Sequence, residues 1–321
     1  MKSWRHVVPW VVSAALLAYV FGFATDWAAL VGAMRHADVP LFLAVTAADR
    51  LAFFGVWTWL QALAVRKFVR EVSFREVFAI RGGSELLRAV SNPLSDAAFF
   101  VGLARLTGGR MDAVLGAALI PGVIHFAVMV LQLTIALPLL PGGLEANPDV
   151  ALTAGVSWAI VAAAAGAAVL APRFRLPAGG RVRRFLGRIP PRRLLPYVAC
   201  FALLAVFDVT IQWLASRAFG VPIPWLSLLA RIPILYLALT IPSFANYGTR
   251  ELAWAGLFAD HAPRDTLIAY AFATNTLFLL LNVVIGVLFL PRALELLRTV
   301  REARAAGEPV PEPLLHDALE G

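Results

Sequence analysis

The string Pro242-Ser243-Phe244-Ala245-Asn246-Tyr247-Gly248-Thr249-Arg250-Glu251 holds the densest chemistry in the chain. Pro242 ends a helix because it brings no N–H to the ladder. Gly248 permits a tight turn. Thr249 is placed to cap a following helix, whose first N–H groups would then be free to meet an anion. Arg250 stands beside those donors, and its planar fork matches a phosphate. Glu251 would counter a cationic group, or lock Arg250 or Arg231 in place. A second charged set, Arg81, Glu85 and Arg88, is spaced by four and then three residues, so all three share one helix face. Ser73 with Glu76 predicts a capping box where that helix begins. Beyond a break at Ser91-Asn92-Pro93, Asp96 is expected in the first turn of the next helix, where an acid suits the dipole. Its role is either a cap or a midplane acid that exchanges protons or meets a headgroup.

Two further acids fall inside apolar stretches. Asp49 is followed by Arg50; neighbours on a helix point about 100° apart, so they do not simply pair along one face. Asp49 is expected to reach Arg81 or Arg88, as a structural pair or a functional one. Asp208 is a lone acid in mid-span, and His125, beside Pro121-Gly122, reads as a structural histidine. A charge in hydrocarbon costs at least about 2.5–3.5 kcal/mol, so each such group needs a partner or a water-filled cavity. The stretch Ala162 to Ala168 with Gly166 reads as a close-packing face. Walker loops, GxSxG, HExxH and paired histidines are absent from the sequence. These residues read as substrate ligands, with no catalytic residue, metal or cofactor assigned.

The elements that must position them lie in a membrane. The chain has 321 residues, 60% hydrophobic and 15% charged, and a mean hydropathy of +0.77. Soluble domains carry about 25% charge, so a water-soluble enzyme, a disordered regulator and a fibrous protein are all excluded. One cysteine, Cys200, allows no internal disulfide. The net charge of +8 is explained by basic loops beside apolar spans rather than by nucleic acid. Six stretches reach the roughly 20 apolar residues of a crossing: about 7–24, 39–64, 111–137, 150–171, 194–219 and 266–290. The first reads as a retained signal anchor, and 26–36 as an interfacial helix.

Residues 66–75, 172–193 and the tail after Pro291 are rich in Arg and read as cytoplasmic; 138–150 and 220–225 carry no Lys or Arg and read as external. Two stretches must then return to the side they start from. Each reads as two short helices about a breaker: 76–90 with 94–106, and 226–241 with 250–260. Ordinary double crossings would give the same sides; arms this short favour re-entrant hairpins.

An offset of about 154 residues superimposes the halves, bringing Asn92 to Asn246 and the span at 39 to that at 194. Each half reads span, span, hairpin, span, in opposite orientation. The expected fold class is all-α: a polytopic transmembrane bundle of two inverted repeats (about 7–137 and 150–290), each with a broken or re-entrant hairpin. This gives one transmembrane domain over 1–291 and a disordered tail over 292–321. Inverted repeats with interrupted helices place a substrate site near the midplane in transporters.

The Pro242 to Glu251 string, followed by Leu281-Asn282-Val283-Val284-Ile285-Gly286, resembles the lysylphosphatidylglycerol synthase transmembrane-region family, also called flippase-like. In the first half that pattern has a Pro, a Gly-Asp or Gly-Glu and then an Arg shortly after. Here Pro93 and Ser95-Asp96 stand in place, with Phe99 near the Arg position. The resemblance implies an integral domain that moves phospholipids or related lipids between leaflets, with Asp96, Arg250 and Glu251 at motif positions. Bifunctional relatives carry a soluble aminoacyltransferase domain after the spans. This chain ends at Gly321 without one, so lysylphosphatidylglycerol synthesis is not implied.

The leading reading is a lipid translocase of the plasma (inner) membrane, with both termini cytoplasmic. Its site would draw on Arg250, Glu251, Asp96, Arg81, Glu85, Arg88, Asn92, Asn246, Asp49 and Arg50. Its partners would be membrane lipids with anionic or phosphate-bearing headgroups, and a homo-oligomer is compatible with it. The competing readings are an integral membrane transferase acting on a lipid-linked substrate, with Asp96 or Glu251 as general base, and a scaffold for an envelope-lipid pathway.

Overall fold

The computed structural model describes residues 27–88, 90–108, 111–142, 148–170, 191–240 and 243–306. Among them are ten α-helices and no strand. In chain order they are α1 (Trp27–His36), α2 (Val39–Phe68), α3 (Phe74–Arg88), α4 (Asn92–Thr107), α5 (Met111–Ala136), α6 (Pro148–Leu170), α7 (Leu195–Ala218), α8 (Trp225–Ala238), α9 (Thr249–Leu257) and α10 (Arg264–Ala305). Three 3₁₀ turns, at Leu137–Leu139, Pro191–Arg193 and Phe244–Asn246, join them. The span expected at 7–24, the loop at 172–190, Pro242 and the residues after 306 lie outside the described residues.

Among the described residues, four helices are long and apolar enough to cross a bilayer: α2, α5 with its 3₁₀ extension, α7 and α10. α6 is apolar over Val150–Ala163; the side chains of the small-residue stretch at 164–168 lie outside the described residues. The outward faces are greasy. Leu203 of α7 is 72% exposed and Leu288 of α10 is 70% exposed. The interior meanwhile holds Asp49, Glu85, Asp208, Arg81, Arg250 and Glu251, all buried. Such an inside-out distribution suits hydrocarbon outside, not water. The chain is an all-α, multi-pass helical membrane protein.

The two expected breaks are present, between α3 and α4 and between α8 and α9. Contacts at the helix ends show how each pair turns back. The N–H of Asp38 donates to the Ala218 carbonyl at 2.7 Å, which joins the start of α2 to the end of α7. At that same end Arg231 of α8 pairs with Asp260 after α9 at 2.6 Å, and Phe219, Leu228 and Phe258 share one apolar cluster. At the opposite end Arg70 Nη1 donates to the Thr107 carbonyl at 3.3 Å, tying the turn before α3 to the last residue of α4. Val300 of α10 packs there with Val65 and Tyr197. The pair α3–α4 therefore enters and leaves at one end of the bundle, and α8–α9 at the other. Their inner tips touch: Asn92 Nδ2 donates to Asn246 Oδ1 at 3.4 Å.

Ser73 and Glu76 form the capping box that starts α3. The Glu76 N–H donates to Ser73 Oγ at 3.2 Å, and the Ser73 N–H to Glu76 Oε2 at 2.9 Å. α3 then lies along α10 in the broadest helix contact of the molecule. Glycines allow it. A Cβ on Gly286 would sit 2.6 Å from the backbone nitrogen of Leu86, and one on Gly82 would sit 2.5 Å from the Phe289 ring. The other main pairings among the described helices are α2 with α7, α3 with α4, α9 with α10, α2 with α5, α5 with α8, α1 with α10 and α5 with α7.

One boundary differs from the sequence reading. α10 does not end at Pro291 but continues to Ala305. Pro291 lies on an exposed face, while Ala293, Val300 and Ala303 stay buried against the body. Arg292 pairs with Glu295 and Arg298 with Glu302 along the solvent side. Amphipathic spacing and tertiary contact thus outweigh the single hydrogen bond that a proline removes.

Candidate functional site

The broken helices and α2, α8 and α10 enclose a cavity of about 620 Å³. Its charged lining is Asp49, Arg50, Arg88, Asp96 and Arg250, joined by Asn92 and Asn246 from the two tips. Seven of the ten residues expected at a site therefore face one space. Arg81 and Glu85 stand behind it, and Glu251 is fully buried beside it.

One wall is a cluster of ion pairs. Glu85, 1% exposed, pairs with three arginines: Arg50 from α2, Arg81 at 3.3 Å and Arg88 at 2.8 Å. Asp96 takes Arg81 at 2.8 Å and Arg88 at 3.1 Å through the same oxygen, Oδ1. Arg50 also donates through Nε to Asn282 of α10 at 2.6 Å. Each guanidinium is already spent on carboxylates, so this wall holds α2, α3, α4 and α10 together. The expected partnership runs differently from its prediction: Arg50, not Asp49, reaches the α3 set. The 100° between neighbours on α2 aims Arg50 at α3 and α10, and leaves Asp49 facing Asp208 and Arg250. Asp96 is also no cap. It falls in the second turn of α4, whose N-cap is Ser91, because Asn92 and Pro93 already belong to the helix.

The opposite wall is built on α9. Residues 243–248 fold back sharply, with Ala245 at φ 47°, Asn246 at φ 64° and Gly248 at φ 80°. Left-handed backbone suits Gly and Asn but is strained for Ala. The turn carries Asn246 to Asn92. Gly248, rather than Thr249, is the N-cap of α9. The Thr249 hydroxyl instead donates to Ser243 Oγ at 3.0 Å. Glu251 is the cap's partner: its Oε2 accepts the Gly248 N–H at 2.6 Å. It therefore locks neither Arg250 nor Arg231, the latter being paired with Asp260. Glu251 also occupies part of the helix end that spacing alone leaves open for an anion.

Arg250 is the contrast. It is 5% exposed, its guanidinium lies over the Phe278 ring at 5.1 Å, and its Nε has no hydrogen-bond partner among the described residues. Of the three arginines on the cavity wall it is the one that joins no ion pair among the described residues. Asn275, opposite on α10, likewise keeps Nδ2 without a partner. The cavity thus offers a buried cation in no contact ion pair among the described residues, with polar neighbours, an arrangement that suits a desolvated anion.

Several lining residues were not among the expected site residues. Asn282, quoted above only as part of the family motif, and Asn275 lie seven residues apart on α10 and share a face. That spacing of two amides inside an apolar span was the signal available. Tyr236 and Ser243 also line the cavity, and single residues of these types give no such signal. Asp208 is held by the Tyr236 hydroxyl at 2.8 Å and by Gln212 Nε2 at 3.5 Å. His125 sits among the rings of Trp57 at 5.0 Å and Phe201 at 5.1 Å, a packing role.

Searches among curated proteins and among solved structures found no match. A family model described as "Lysylphosphatidylglycerol synthase TM region" matches residues 10–286. The match takes in both broken helices, the whole cavity and the Asn282 to Gly286 segment of α10. On that coverage the chain belongs to the lysylphosphatidylglycerol synthase transmembrane-region family.

Proposed function

We propose that the protein is a lipid translocase, and that its central cavity passes a phosphate-bearing headgroup between leaflets while the acyl chains stay in lipid. Arg250 carries the reading: a buried cation on the wall of a 620 Å³ cavity inside an apolar bundle, near Asp49 and Asp208 but in no contact ion pair among the described residues. Its fork is therefore geometrically open to a ligand oxygen. The family is named for a membrane region of lipid metabolism, which fits a lipid-related task.

In this reading the arms α3–α4 and α8–α9 are re-entrant hairpins. Fifteen, 16, 14 and nine residues rise about 14–24 Å, less than a 30 Å hydrocarbon core. The halves are inverted repeats, with α2, α3, α4 and α5 answering to α7, α8, α9 and α10. Pairings support this, since α3 on α10 mirrors α8 on α5 and the equivalent asparagines 92 and 246 touch. The Arg-rich end, with Arg66, Lys67, Arg70 and Arg193, faces the cytoplasm of a plasma membrane. Arg250 takes the phosphate by its fork, Asn275 and Asn246 assist, and Asp96, 42% exposed, meets a cationic part of the headgroup.

The test is lipid movement in proteoliposomes holding fluorescent phosphatidylglycerol. Arg250→Ala is expected to lower the rate at least tenfold with the folded fraction unchanged, and Arg250→Lys to restore part of it, because Lys offers a point charge in place of a fork. Unchanged movement in Arg250→Ala sinks the reading. A new covalent lipid product in mass spectra would make the protein a transferase instead.

A further inference from the structure

Four guanidiniums of the interior, Arg50, Arg81, Arg88 and Arg250, face five carboxyls: Asp49, Glu85, Asp96, Asp208 and Glu251. Glu85 and Asp96 pair with the first three arginines, and Glu251 accepts the Gly248 N–H through Oε2 while its Oε1 has no hydrogen-bond partner among the described residues. Asp49 and Asp208 remain, each 2% exposed, on facing helices α2 and α7. They share one cationic neighbour, Arg250. Asp49 Oδ1 has no hydrogen-bond partner among the described residues, and neither has the hydroxyl of Thr46 one turn before it.

Five carboxyls against four guanidiniums leave one negative charge in excess, which is costly to hold without water at low dielectric. An empty cavity lets Arg250 serve both acids. A phosphate on Arg250 takes that cation away and adds a negative charge, so the pair must be neutralised from outside. The smallest neutraliser is a proton, which forms an O–H bond on one of the two carboxyls.

We propose that Asp49 and Asp208 form a proton site that fills when a phosphate-bearing headgroup binds Arg250, so that lipid binding and proton uptake are one event. The proposal rests on the headgroup reading of the cavity. Every element around the pair contributes to it. From α8 the Tyr236 hydroxyl donates to Asp208 at 2.8 Å, and from α10 the Tyr270 hydroxyl donates to Gln212 Oε1 at 2.6 Å. Gln212 in turn donates to Asp208 at 3.5 Å. α9 supplies Arg250, and α2 supplies Arg50, already tied to Glu85 of the α3 cluster. From α5 comes His125, whose ring lies 6.2 Å from that of Tyr236. Asp49 lines the cavity and so gives the proton a route in, whereas Asp208 lies one residue deeper behind Tyr236. The chain Asp208, Gln212, Tyr270 spreads the charge over hydrogen bonds that persist whichever carboxyl holds the proton.

The experiment is calorimetric titration of the full-length protein in detergent with dihexanoyl phosphatidylglycerol. It is run at one pH in two buffers of different ionisation enthalpy, with sodium replaced by choline. The difference in heat between buffers counts protons taken up per lipid bound. The wild type is expected to take up about one proton, with affinity falling up to roughly tenfold per pH unit on the alkaline side. Asp208→Asn and, as a second isosteric variant, Asp49→Asn are expected to bind with the uptake abolished. Binding with no proton uptake in the wild type overturns the proton site and leaves the headgroup reading standing. Uptake unchanged in both variants overturns it as well, as does affinity that follows added sodium and ignores pH. Absence of any binding, or binding indifferent to Arg250→Ala, overturns both readings.

Discussion

At the scale of single residues, the molecule separates arginines that hold from an arginine that waits. Glu85 is the hub of the holding set, and Glu85→Gln would leave three guanidiniums with Asp96 alone. Breaking a buried ion network in this way costs about 3–5 kcal/mol. Thermal unfolding of the purified protein in detergent is expected to show a large fall in midpoint, and an unchanged midpoint would mean that the cluster is solvated. The Arg231–Asp260 pair outside the spans gives a milder effect. Partial burial pushes the Asp260 carboxyl up, but the bonded Arg231 guanidinium and nearby His261 outweigh it and hold the group below its usual range. A depressed acid stabilises above its unfolded value, near 3.9, and that contribution is lost as pH falls through the lower folded value. Acid titration is therefore expected to loosen the turn after α9 below about pH 4, and Asp260→Asn to remove that pH dependence. Spacing alone revealed the shared face of Arg81, Glu85 and Arg88, because helical periodicity is local. The partner choice of Asp49 and Arg50 was not legible, since it depends on which helix lies at each azimuth around α2.

At the scale of elements, glycine placement decides how closely α3 and α10 approach. A methyl group on Gly286 would meet the Leu86 backbone at 2.6–2.7 Å, and backbone cannot swing aside as a side chain can. Gly286→Ala is expected to destabilise by about 1–3 kcal/mol. Gly122 of α5 is the control: nothing lies within 4 Å of its virtual Cβ, so Gly122→Ala is expected to stabilise by about 0.5–1 kcal/mol through helix propensity. Equal effects at the two sites in detergent unfolding would refute the close-approach argument. The breaks in both hairpins were readable from Pro93 and Gly248, since backbone chemistry is written in residue type. The cap of α9 was not. Thr249 has the right side chain, but Glu251 reaches back to the Gly248 N–H, and the turn tightens by one residue. The end of α10 was misread for a similar reason: Pro291 signals a stop locally, and the burial of Val300 and Ala303 overrides it.

At the scale of the whole molecule, Arg66, Lys67, Arg70 and Arg193 gather at one end of the bundle. Asp38 and Asp260 lie at the other, together with Arg217 and Arg264. In a Cys200→Ser background, a cysteine at Pro222 is expected to react with an impermeant thiol reagent added outside intact cells, and one at Glu71 only after lysis. The reverse pattern would invert the orientation. The all-α class and the four long apolar helices were visible in composition and hydropathy, which report the solvent that the chain expects. The cavity was only half visible. Seven of its expected residues converge, but its remaining polar wall needs α8 and α10 to be brought together by packing that no single segment encodes.

The glycine contact between α3 and α10 has a mechanical consequence. Two helices joined backbone to backbone, and clamped besides by Arg50, Glu85 and Asn282, behave as one stiff strut. Among the described residues, the tips of the two hairpins meet instead through a 3.4 Å hydrogen bond between uncharged amides, Asn92 and Asn246. If the cavity opens toward alternate faces, that seam would be the weaker place to part, and the strut would carry α3 and α10 together as a single lever.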